Sequence, residues 1–149
     1  MYIKSPNRSL SQLETAMALL SITYGVVLIL LGLEGYTNTI GLFNVTDLHS
    51  PTALIPAGFG VALLLCGLFA VKASIRMHVM HAAALIGLLG TIGGLGMGGR
   101  QFSALWNGTA ERPAAVKLQL TMGVICLAFL VMCVKSFINA RRRRKLAGG

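Results

Sequence analysis

Four long apolar runs, each closed by polar or charged residues, take up more than half of the chain. The first covers about residues 12–34. It opens on Ser11-Gln12-Leu13-Glu14, the S-x-x-E spacing of a capping box, and closes on Glu34 and Gly35. Roughly 22 residues at 1.5 Å each make about 33 Å, enough to cross a hydrocarbon core. A cleaved signal peptide is the competing reading, but the run is too long and no A-x-A-like site follows Gly35. The second run, about 52–71, follows Ser50-Pro51, an N-cap residue with proline at the first helical position. Pro56 in its second turn predicts either a kink or a helix that starts there. The third run covers about 77–97 and the fourth about 114–136, after Pro113. Lys117 and Lys135 bracket the fourth, far enough apart for their amines to snorkel to opposite surfaces.

The segments between the runs differ in character. Residues 1–10 are polar and are expected to be poorly ordered. Residues 36–50 contain no lysine or arginine but do contain Ile40, Leu42, Phe43, Val45 and Leu48, a composition suited to the membrane interface. Lys72 to Arg76 form a tight basic connection. Residues 98–112 read as a looser loop in which Phe102 and Trp106 suit an interfacial aromatic position. Residues 137–149 form a basic tail.

The third run is the one around which the others are organised. It carries Gly87, Gly90, Gly94 and Gly98 at steps of three and four, which places them on one helical face. Glycine inside an exposed helix costs about 1 kcal/mol relative to alanine, so this helix would be poor in water. In a bilayer, a groove of missing side chains lets another backbone approach closely and gain dispersion contacts. Gly60 and Gly67, with Ala57, share a face of the second run, and Gly25 and Gly32, with Ala18, recur every seven residues in the first. The expected fold is all-α, an integral-membrane four-helix bundle of one domain, held together through these faces.

Composition supports that reading. The chain has 149 residues, 55% of them hydrophobic and only 11% charged, against about 25% charged in soluble domains. The net charge of +9 does not point to nucleic acid, because the basic residues collect at the ends of the apolar runs without aromatic context. Four spans put both termini on one side. Ten of the thirteen lysines and arginines then lie on the terminal side, and only Arg100, Arg112 and Lys117 on the other. The positive-inside rule accordingly places both termini on the cytoplasmic side, in a bacterial inner membrane or an organellar membrane.

Candidate chemistry is sparse. His78 and His81 share a helical face at the inner end of the third run, as half of a metal or haem site would. A zinc site needs three or four ligands, and His49, the remaining histidine, lies on the opposite side. The sequence favours imidazoles that contact lipid headgroups or backbone carbonyls, and no cofactor or metal is expected. Glu14 and Glu34 lie near the ends of the first span, where they are expected to stay wet, and Asp47 lies in a loop. Cys66, Cys126 and Cys133 fall inside spans without a CxxC spacing and read as small apolar residues. Arg141, Arg142, Arg143, Arg144 and Lys145 suit anionic lipid headgroups, at about 1 kcal/mol for each basic residue near the surface, and also anchor the topology. Asn44-Val45-Thr46 and Asn107-Gly108-Thr109 are glycosylation sequons on the outer side, and Asn7-Arg8-Ser9 repeats the pattern on the inner side. There is no Ser-His-Asp set, phosphate loop, HExxH or paired-aspartate motif. An enzyme is not expected.

The layout resembles the transmembrane protein 14 family of small four-span proteins. The likeness lies in Ser50-Pro51-Thr52-Ala53-Leu54-Ile55-Pro56-Ala57-Gly58 entering the second span, in Gly94-Leu95-Gly96-Met97-Gly98-Gly99-Arg100-Gln101-Phe102 leaving the third, and in Pro113-Ala114 entering the fourth. The chain departs from the family pattern by a longer first outer loop, a longer loop before Pro113 and the arginine tail. The resemblance implies movement of amphipathic carboxylate-bearing molecules, such as fatty acids or porphyrin precursors, along the glycine-lined faces, and assigns no individual binding residue. Two functions follow from the sequence. One is a structural or accessory subunit that packs through glycine faces, as a homo-oligomer or inside a larger membrane complex. The other is a facilitator for an amphipathic solute. The scarcity of groups able to recognise a solute favours the first.

Overall fold

The computed structural model describes residues 6–41, 51–72 and 74–147, with side chains placed between Thr15 and Asn139 in those stretches and at Arg141 and Arg142. Among the described residues every regular element is helical. Helix α1 spans Pro6–Thr37; a 3₁₀ turn at Pro51–Leu54 leads into α2, Ile55–Phe69; α3 spans Arg76–Arg100; a short α4 covers Phe102–Trp106; and α5 spans Pro113–Ala147. Four segments are long and apolar enough to cross a membrane: Thr15–Thr37, Thr52–Phe69, Arg76–Arg100 and Pro113–Asn139.

The helix ends differ from the sequence expectation in instructive ways. Helix α1 begins at Pro6, so Ser11 lies inside it and cannot cap it. Proline at the first helical position has no amide to leave unsatisfied and has its φ already set. Likewise, the basic tail continues α5 to Ala147. Pro56 does not kink a longer helix. The chain turns through a 3₁₀ segment first, and the α-helix starts at Ile55 with proline in its first turn. Arg76 closes the α2–α3 connection by donating from Nε to the Ala70 carbonyl at 2.9 Å. The loop expected at 98–112 is partly helical, since α3 runs on to Arg100 and α4 follows at once. The interfacial segment 42–50, with Asp47, His49, the Ser50 cap and the Asn44 sequon, lies outside the described residues, as do the side chains of Asn7, Ser9 and Glu14.

The buried positions explain the packing. In α1 they include Ala18, Ser21, Gly25, Leu28, Gly32 and Gly35; in α2, Pro56, Gly60, Leu63, Gly67 and then Ala70. Helix α3 buries Met80, Ala83, Gly87, Gly90 and Gly94, and α5 buries Met122, Cys126, Phe129 and Cys133. Steps of three and four alternate along α1, along α2, along α3 as far as Gly94 and along α5 from Met122 on, the 3.5-residue repeat of antiparallel bundles that pack like coiled coils. The first turns of α5 instead bury Ala114, Val116 and Leu118. Helix α1 packs chiefly on α2 and α3 on α5, with α1–α5 and α2–α3 contacts closing the ring. A central cluster joins Leu28, Leu63, Ala83, Met122, Cys126, Phe129 and Cys133 from all four spans. The Tyr24 and Phe129 rings meet at 5.4 Å, and the Tyr24 hydroxyl lies 3.4 Å from the Met132 sulfur.

Many other large side chains point outward. Leu30, Leu85, Leu89 and Ile92 are about 60% exposed, each contributing to an apolar outer belt. In water this would be an error of patterning. In hydrocarbon it costs nothing, and the small residues are free to line the seams.

Candidate functional site

The glycines of the first two helices meet backbone to backbone. A methyl group placed on Gly25 would lie 2.7 Å from the Leu64 nitrogen and 2.8 Å from the Gly60 oxygen, and one on Gly60 would lie 2.6 Å from the Gly25 oxygen. On Gly32 it would meet the Ala57 nitrogen at 2.5 Å, and on Gly67 the Ile22 side chain at 2.6 Å and the Ala18 oxygen at 3.0 Å. Contacts this short leave room only for hydrogen.

Along α3 the character of the contact changes. A methyl on Gly87 would press on the Phe129 ring at 3.0 Å, one on Gly90 on the Cys126 sulfur at 2.6 Å, and one on Gly98 on the Leu120 side chain at 2.9 Å. Only at Gly94 is the opposing surface backbone, with Gly123 Cα and N both at 2.6 Å and the Gln119 oxygen at 2.7 Å. Gly87 thus provides the hollow for Phe129, whereas Gly94 sets the distance between the two helix axes. Gly123 is the partner the sequence reading missed. It stands alone in its helix, with no second glycine to mark a face. Gly35, taken as a span terminator, also abuts a neighbour, the Leu118 side chain at 2.6 Å. In contrast, Gly58, Gly93, Gly96 and Gly99 have open space where a methyl would go.

Among the described residues three polar or charged side chains are buried: Thr91, Ser21 and Glu34. Thr91 is held by its own helix, donating to the Gly87 carbonyl at 2.8 Å. The Ser21 hydroxyl is wholly buried without a hydrogen-bond partner. Glu34 differs from its expected wet position, being only 6% exposed. The chain bends back at Asn38, in the left-handed region at φ 48°, and brings the Ile40 amide to 3.1 Å from both carboxylate oxygens. A backbone amide thus stands in for water.

His78 and His81 are both exposed. His81 Nδ1 lies 2.7 Å from the Met77 carbonyl, and its ring stacks obliquely on Phe137 at 5.2 Å. Among the described residues no three histidine, cysteine, aspartate or glutamate side chains gather in a metal site. Cys126 and Cys133 are fully buried, and all three thiols are free. Lys72, Lys135, Arg141 and Arg142 are exposed at the terminal end, and the side chains of Arg143, Arg144 and Lys145 lie outside the described residues.

No protein-family model matches the chain, and no curated protein or solved structure matches it.

Proposed function

We propose that this protein is a structural or accessory membrane subunit, a compact bundle that packs through glycine faces and works as a homo-oligomer or inside a larger membrane complex. The observation that carries the reading is the glycine-to-backbone approach at Gly25–Gly60 and Gly94–Gly123. Faces so tightly occupied leave little surface between those helices for a solute. The polar groups support it too, since Glu34, His78 and His81 sit near the helix ends rather than along a path at mid-depth. In this reading the chain is not an enzyme and takes no cofactor. It resides in a bacterial inner membrane or an organellar membrane with its termini on the cytoplasmic side, where Arg141 to Lys145 meet anionic headgroups.

Native mass spectrometry from mild detergent tests this directly, because one spectrum gives both assembly mass and retained small molecules. A homo-oligomer or a complex with a foreign subunit, free of ligand, is the expected result. A monomer carrying a fatty acid or tetrapyrrole would overturn the reading in favour of solute transfer.

A further inference from the structure

At the end of the bundle opposite the termini, α4 presents two aromatic rings to the outside. Ala104 and Leu105 are half-buried, while Phe102 is 51% and Trp106 81% exposed. Four residues apart on one helical turn, the two rings stand side by side with centroids 6.3 Å apart. With Ser103 and Asn107 they line an open, largely apolar notch of about 360 Å³. The notch lies immediately after Arg100, the last residue of the third segment long and apolar enough to cross a membrane. Arg100 and Lys117 are exposed at the same end; the acid in the α4–α5 connection, Glu111, is exposed as well.

We propose that this notch seats a phospholipid of the facing leaflet. The Phe102 and Trp106 rings take the glycerol and the first methylenes of its chains, and the Arg100 guanidinium takes its phosphate. Three properties select this occupant. The rings are amphipathic and sit at a span boundary, where tryptophan is favoured. The lining is largely apolar but includes the Ser103 hydroxyl and the Asn107 amide, and the exposed Arg100 stands two residues before Phe102 in the chain, matching a molecule whose polarity changes over a few ångströms. A guanidinium forms charge-assisted, often bidentate hydrogen bonds to phosphate oxygens. This inference does not depend on whether the bundle is a structural subunit.

Trp106 is the single tryptophan of the chain, so the intrinsic fluorescence of the intact protein reports on the notch alone. The experiment uses phosphatidylcholine vesicles containing lipid brominated either near the glycerol or near the chain terminus, with iodide in parallel on both faces. Near-glycerol bromine is expected to quench at least about twofold more than terminal bromine, and iodide only weakly, as for an interfacial ring. Arg100→Gln is expected to lower the near-glycerol quenching by about half through loss of the phosphate contact, with the circular dichroism of the bundle unchanged. Strong iodide quenching without lipid quenching would place the notch in water and overturn the proposal. Insensitivity to both quenchers would mean that a protein surface covers it, which overturns it equally. Unchanged quenching in Arg100→Gln would overturn the phosphate contact.

Discussion

At the scale of single residues, what separates one glycine from the next is whether the neighbour can yield. Gly25, Gly60 and Gly94 face backbone, which moves only if a whole helix moves. Gly87 and Gly98 face the ends of side chains. Gly93 and Gly96 face open space. A methyl at the first group forces overpacking, at a cost of about 1–3 kcal/mol, and this outweighs the gain of about 1 kcal/mol in helix propensity. At Gly93 and Gly96 only the gain remains. Gly25→Ala and Gly94→Ala are therefore expected to lower stability in detergent unfolding, and Gly93→Ala and Gly96→Ala to leave it unchanged or raise it slightly. If all four behaved alike, the close approaches would not be what holds the helices together. Part of this was legible in the sequence, because Gly87, Gly90, Gly94 and Gly98 follow steps of three and four, but the same steps do not exclude Gly93, three after Gly90, or Gly96, three after Gly93. Their ranking was not legible. It depends on which partner lies opposite, and the Gly123 opposite Gly94 carries no repeat to announce itself.

At the scale of elements, helix ends were harder to read than helix bodies. Apolar length locates a span because the membrane demands it, but an end is settled by a few local groups that compete. Ser11 to Glu14 have the spacing of a cap and nevertheless lie inside α1, which Pro6 begins. The other end of α1 shows what a buried carboxylate does when the chain returns over it. Asn38, one of the few non-glycine types at ease in left-handed backbone, turns the chain, and Glu34 accepts the Ile40 amide with both oxygens. Hydrogen bonds to charged groups contribute about 1.5–3 kcal/mol. Glu34→Ala is expected to lose a similar amount and to speed hydrogen exchange at the Ile40 amide. Glu34→Gln keeps an acceptor oxygen and should lie between the two. An exchange rate at Ile40 that is indifferent to both substitutions would show that the amide is protected by something else.

At the scale of the whole molecule, size and charge are distributed by different rules. Small residues line the helix seams and many leucines turn outward because lipid rewards close backbone approach and does not penalise exposed hydrocarbon. Charge follows the membrane's two faces. The antiparallel ring of four spans brings the start of α1 and the end of α5 to one end of the bundle, and ten of thirteen basic residues belong to the segments there. That asymmetry predicts a cytoplasmic position for the terminal end, and two exposed hydroxyl residues at opposite ends, Ser74 and Thr109, make it measurable. With a membrane-impermeant maleimide applied from outside intact cells, Thr109→Cys is expected to label and Ser74→Cys to stay unlabelled until the membrane is opened. The native thiols give little background, since Cys126 and Cys133 are buried in the bundle and Cys66 lies within a span. Replacing Arg141 to Lys145 with glutamine leaves five basic residues at the terminal end against three at the other. The bias then shrinks without reversing, so a partly mixed labelling pattern is expected. Labelling of Ser74→Cys alone in the unmodified background would invert the topology. It would also move the Arg141 to Lys145 run, and the anionic headgroups assigned to it, to the opposite leaflet.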